Sequence, residues 1–120
     1  MAVKIKTPAG MIDIANDVIA TVVGGAATDN YGVVGMASRN PLKDGVNQIL
    51  GRDSFHQGVV IRQQDNGIAV DVYIIVGYGT KISAVSKSVQ EKVKYNLEAM
   101  LGVTANSVNI MVQGLSLIHI

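Results

Sequence analysis

From Ile68 to Val76 every even position is apolar (Ile68, Val70, Val72, Ile74, Val76), whereas the odd positions Ala69, Asp71, Tyr73 and Ile75 are mixed. A period of two describes a strand with one buried face. After Gly77-Tyr78-Gly79 the spacing changes, and Ile82, Val85, Val89, Val93, Leu97 and Met100 recur three or four residues apart, the stripe of an amphipathic helix. A strand feeding a helix through a tight glycine turn implies a sheet with a helix laid on its apolar face. Gly77 and Gly79 permit the turn and Thr80 is the expected helix cap. The run Gly77-Tyr78-Gly79-Thr80-Lys81 lacks the spacing of a phosphate loop.

Earlier in the chain, Gly10 to Ile14 alternates weakly as a short extended piece. A first helix is expected from Asn16 to Ala27, capped by Asn16, with Val18, Ile19, Val22, Val23 and Ala26 on its apolar face. Gly24-Gly25 inside that pattern costs on the order of 1 kcal/mol per glycine, and close approach of the helix to the sheet is the expected return. Asp29 to Gly32 is turn chemistry, and Val33 to Ser38 is a strand containing Gly35. Leu42, Val46, Ile49 and Leu50 suggest a short helix, followed by a loop from Gly51 to Gly58. Val59 to Gln64 and Ile68 to Val76 flank Asp65-Asn66-Gly67, the pattern of an antiparallel hairpin with an Asn-Gly turn. Gly102 caps the second helix, and Asn106 to Gln113 returns to strand alternation. The predicted fold is α+β: a mainly antiparallel sheet of about four or five strands with two main helices packed on one face. Its order is approximately β-α-β-(short α)-β-β-α-β, and the order of strands within the sheet stays open.

Composition narrows what such a domain does. With 120 residues the chain is long enough for one domain, burying roughly two thirds of its unfolded surface. The apolar residues are mostly Val, Ile and Ala, with one Phe and no Trp, which suits a closely packed sheet and helices better than a ring-lined pocket. A net charge of +1, with Lys and Arg scattered, shows no footprint for nucleic acid or anionic lipid. The absence of cysteine excludes disulfides, a thiol nucleophile and a thiolate metal site. MAVKIKTPAG lacks the apolar core of a signal peptide, and no run is long enough to span a bilayer. A cytoplasmic protein is expected, with any membrane attachment made through a partner. His56 has no Asp, Glu or His at ligand spacing, and Lys87, Glu91, Lys94 and Glu98 form a solvated helix face. No catalytic, cofactor or metal residues are expected.

The two faces of the sheet differ. Val59, Ile61, Val70, Val72, Ile74, Val108, Ile110 and Val112 are expected under the helices, and Val60, Arg62, Asp71, Tyr73, Ile75, Asn109, Met111 and Gln113 on the opposite face. That second face is more apolar than solvation requires, and Arg62, Asp71, Tyr73, Ile75, Asn109 and Met111 are the candidate partner-binding residues.

Several segments in order resemble one family. They are IDIANDVIATVVGGAA (Ile12 to Ala27), YGVVGMASR (Tyr31 to Arg39), VDVYIIVGYGTKI (Val70 to Ile82), VQEKVKYNLE (Val89 to Glu98) and SVNIMVQG (Ser107 to Gly114). Together they are similar to the alkaline-shock-protein family of Gram-positive bacteria, also called the general-stress or envelope-stress-response family, and to its short single-domain members in particular. The resemblance covers almost the whole chain. It implies a small α+β protein without enzymatic activity that is cytoplasmic and self-associating. It also implies, as partners, an integral membrane-anchor protein or a protein of lipid supply, and it supplies no catalytic residues. The domain is expected to span residues 1–114. The tail Leu115 to Ile120 departs from the family's variable polar ending and reads like a translated sequencing-adapter end; if native, it is an apolar strand extension or an aggregation-prone end. Two other functions are carried alongside self-association and partner binding: a nucleic-acid module, for which Tyr73 and Arg62 give thin support, and a small-molecule or anion carrier linked to lipid metabolism.

Overall fold

The computed structural model of the chain describes residues 2–40 and 49–117. It is α+β, with β1 (Ala2–Thr7), β2 (Gly10–Ala15), α1 (Asn16–Thr28), β3 (Val33–Ala37), β4 (Ile49–Leu50), a 3-10 helix (Arg52–Gly58), β5 (Val59–Gln64), β6 (Gly67–Gly77), α2 (Ile82–Asn96) prolonged by a π-helical turn (Leu97–Leu101), and β7 (Ala105–Ser116). Of the short helix expected from Leu42 to Leu50, Ile49 and Leu50 belong instead to β4, and its other residues lie outside the described ones.

The alternating stretch is the centre of the sheet. β5 and β6 form the expected antiparallel hairpin, with Gln64 opposite Gly67 and Asp65-Asn66 as the two-residue loop. Gly67, expected within the turn, is the first residue of β6 at φ 152°. A Cβ there would run into the Thr104 carbonyl oxygen, so the position accepts only glycine. The far end of β6 pairs antiparallel with β3, so β3 and β5 lie end to end along one edge of β6, with β4 outside β3. β7 runs parallel to β6 along the other edge, from Ile68 to Gly77. The sheet is thus mixed, because α2 carries the chain back across it and a parallel pair needs such a crossover.

Three main-chain bonds orient the ladder. Ile68 N–H donates to Thr104 O at 2.9 Å and Tyr78 N–H to Ser116 O at 2.7 Å, both toward β7, while Gly77 N–H donates to Gly32 O at 2.9 Å on the opposite edge. The even residues of β6 therefore bond to β7 and the odd ones to β5 and β3. By the same alternation, Val108, Ile110 and Val112 of β7 turn their main chain outward. The Gln90 side chain of α2 meets this row, donating to the Val108 carbonyl at 2.9 Å, and the register shifts at Gln113.

Both helices cover the even face of β6, where Ile68, Val70, Val72, Ile74 and Val76 are fully buried. From α2 the buried ridge is Val85, Val89, Val93 and Leu97; Ile82 and Met100, expected in the same stripe, are exposed at its ends. Val112, expected in the core, is partly exposed. α1 is rotated slightly from the expected face, burying Ile19, Ala20, Val23, Ala26 and Ala27 while Val18 faces solvent. Two caps also differ from expectation. Asn16 is the first helical residue and Ala15 takes the cap position without a side-chain bond. Thr80 donates its hydroxyl proton to Gly77 O at 2.7 Å, closing the turn, and Lys81 sits at the cap. Gly102, at φ 68°, ends the helical segment as expected.

The extended piece expected at Gly10 to Ile14 is β2, and β1 is an addition to the predicted order that makes it a hairpin. β1 pairs with β2 from Ala2↔Ala15 to Thr7↔Gly10, Val3 is buried in the core, and Ile5 and Ile14 pack partly against it. A second difference is the segment from Arg52 to Gly58, expected as loop, which is a 3-10 helix that buries Phe55. This ring explains Gly24. A Cβ on Gly24 would sit 2.6 Å from Phe55 Cγ, whereas one on Gly25 would meet nothing within 4 Å. The close approach is therefore to the Phe55 ring rather than to the sheet.

Gly24→Ala is expected to cost about 1–3 kcal/mol by overpacking against that ring, although alanine is the better helix former. Gly25→Ala should be neutral or stabilising. Urea unfolding of the two variants checks the contrast; equal effects would disprove the assignment of the clash to Gly24.

Candidate interaction surface

On the face away from the helices, register alone brings three polar side chains together. Asp71 on β6 has Val60 of β5 on one side and Asn109 of β7 on the other, and Arg62 lies two residues further along β5, on the same face. Arg62 donates through Nη1 to Asp71 Oδ2 at 2.7 Å and through Nη2 to Oδ1 at 3.0 Å. Asn109 Nδ2 donates to Oδ1 at 2.8 Å. The carboxylate is buried and accepts all three bonds, tying three strands with one side chain. Such fork geometry is the strongest form of the pair. The Arg62 hydrogen bond, and behind it that of Asn109, holds the Asp71 carboxyl below the usual carboxylate range against the opposing effect of burial. The guanidinium is raised by the same partner.

Next along the face, Tyr73 and Met111 are paired across β6 and β7, both half-buried. Val60, also half-buried, lies on the same face. Ile75, expected with them at the surface, is only 5% exposed. It sits in register between Gly35 and Gly114, and the Ile49 side chain folds across Gly35, 2.5 Å from where a Cβ would be. Of the six candidates, then, Arg62, Asp71 and Asn109 form one network, Tyr73 and Met111 adjoin it, and Ile75 belongs to the packed interior of the sheet.

The N–H groups of Tyr78 and Thr80 in the glycine turn bond to Ser116 O and Gly77 O, so the turn is a hinge between strand and helix. His56 lies on the 3-10 helix, where its main-chain carbonyl accepts from Arg39 Nη1 at 2.6 Å. Lys92 on α2 reaches Asp29 at the end of α1, at 3.2 Å. Among the described residues no group of His, Asp and Glu gathers as metal ligands would, and no helix is long and apolar enough to cross a membrane.

Sequence reasoning did not anticipate a cleft of about 560 Å³ between the β1–β2 hairpin, the β5–β6 turn and the segment Gly102 to Thr104. Its signal was present in β1, where Val3 and Ile5 alternate with Lys4 and Lys6. The Gln63 side chain joins this hairpin to β5, accepting from Lys4 N–H at 3.3 Å and donating to Lys4 O at 2.9 Å.

Comparison with known proteins places these features in a family. Residues 4–117 match the model of the alkaline shock protein 23 family, described as having a cell envelope-related function. An uncharacterized protein of Streptococcus pyogenes, Spy1614, is 52% identical over 118 residues, covering 98% of each chain. An uncharacterized protein of Bacillus subtilis, YloU, is 54% identical over 114 residues, covering 95% of each. A second uncharacterized Bacillus subtilis protein, YqhY, is 35% identical over 109 residues, 91% of this chain and 79% of its own. No solved structure matches the chain.

The depressed Asp71 group makes stability depend on pH with a definite sign. A carboxyl lowered in the folded state adds stability above its unfolded value, near pH 4, and loses it as pH falls through the folded value. The stability advantage of the wild type over Asp71→Asn should be constant above about pH 4 and shrink below it. Chemical unfolding from pH 7 to pH 2 measures this; a difference that does not change with pH would remove the ion pair from the account.

Proposed function

Since the chain belongs to the alkaline shock protein 23 family, whose function is cell envelope-related, we propose that it serves the envelope as a non-enzymatic interaction protein, associating with further copies of itself and with a partner protein through the open face of its sheet. The observation that supports this most is the pairing of Tyr73 with Met111 beside a saturated polar network. Covering Asp71 leaves no unmet hydrogen bond, because its oxygens already accept from Arg62 and Asn109, so a partner meets little of the desolvation cost that a lone buried carboxylate imposes. Tyr, Met and Arg are also the side chains enriched where protein surfaces meet. An envelope role calls for a partner held at the membrane or working in lipid supply.

Tyr73→Glu and Met111→Glu each place a charge on this face without touching the helical core. Both variants are expected to keep the wild-type circular dichroism spectrum and to lose association in multi-angle light scattering. A folded variant that associates as the wild type does would sink the proposal.

A further inference from the structure

We propose that the cleft beneath the β1–β2 hairpin is a docking slot for an extended peptide, whose main chain pairs with the edge of β1 at Lys6, which no other strand covers among the described residues. A contact within the protein already displays the chemistry. The Gln63 carboxamide presents one acceptor and one donor to the N–H and C=O of Lys4, at 3.3 and 2.9 Å, as the main chain of a neighbouring strand would. Lys4 therefore turns its main chain away from β2. In an antiparallel pair every second residue shares that direction, so Lys6 presents its N–H and C=O along the same edge. Lys6 lines the cleft, together with Ile5 and Met11 of the hairpin and with Asp65, Asn66 and Thr104 opposite. A volume of about 560 Å³ falls in the range of sites that hold small ligands or short peptide segments.

The occupant follows from what already stands one step along the edge. An amide fills the position at Lys4, and a peptide main chain is the ligand that supplies the next amide at Lys6, the mode of strand addition. Lys4 and Lys6 alternate with Val3 and Ile5, which pack toward the core. A peptide that alternates carboxylate with β-branched apolar side chains matches both faces of the strand it joins. The partner is a segment of another protein with that pattern. The slot shares no residue with the Arg62–Asp71–Asn109 surface and does not depend on the function proposed for it.

The test is titration of the ¹⁵N-labelled protein with the capped peptide acetyl-Val-Glu-Val-Glu-Val-amide and with the same peptide N-methylated at alternate amides. The parent peptide is expected to shift the Lys6 amide saturably and to slow its hydrogen exchange, and N-methylation to weaken binding by about tenfold or more, the loss of at least one main-chain bond. Lys6→Pro removes the outward donor without removing a bond to β2, and should weaken the parent peptide similarly while the Val3–Ile14 contacts persist. No saturable shift at Lys6, or equal binding of the two peptides, overturns the proposal. So does unchanged binding by Lys6→Pro with its hairpin intact. Should that variant lose the hairpin, the comparison of the two peptides decides.

Discussion

Both edges and one face of β6 are occupied, and the rest of the molecule depends on that confinement. One edge is shared end to end by β5 and β3, and the other is held along nearly its whole length by β7. One face lies under the two helices, and on the other Ala69, Asp71 and Ile75 are also buried. A strand enclosed in this way can satisfy its main chain only through the ladder, and each partner strand is positioned by its register with β6. The network at Asp71 is a consequence: Arg62 and Asn109 reach the carboxylate because β5 and β7 are fixed against the same strand from opposite sides.

Much of this was legible in the residues. The two-residue period of Ile68 to Val76 marks the buried face without ambiguity, and the ridge Val85, Val89, Val93 and Leu97 marks its helix. Legibility failed where a local pattern does not decide a distant contact. Ile82 and Met100 satisfy the helical stripe yet overhang the sheet at either end. Asn16 is a good cap by residue type, but the chain enters the helix directly from β2, so the cap position falls on Ala15. The glycines at positions 24 and 25 look equivalent in sequence, and only the placement of Phe55, some thirty residues later, separates them. β1 is a different case: its alternation was present but short, and the Thr7-Pro8 that follows it reads as a break rather than as one side of a hairpin loop.

The candidate surface shows the same division. Alternation assigned Arg62, Asp71, Tyr73, Asn109 and Met111 to one face, because facing is a matter of parity. It could not foresee that Asp71 would be saturated by two neighbours, which depends on β7 running parallel to β6 in one particular register. Nor could it foresee that Ile75 would be enclosed, which depends on small residues at Gly35 and Gly114 on either side and on Ile49 folding across Gly35.

The bond from Gln90 to the Val108 carbonyl bears on how the outer edge of β7 is interrupted as a template for a further strand. Among the described strands β7 is the outermost on its side, and it contains no Lys, Arg, Asp, Glu or Pro from Ala105 to Ser116, so it lacks the gatekeeping residues that usually keep sheet edges apart. Protection comes from the fold instead. At one end the helix side chain occupies an acceptor that an incoming strand would need, and at the other the shift at Gln113 spoils the repeat. Between them Ile110 and Val112 are the regular run left open, too short a template for the stacked growth that runs of about six or seven residues sustain. The periodicity of an uncharged rim is thereby interrupted where other edges carry charge, and one of the interruptions is a single glutamine on a helix.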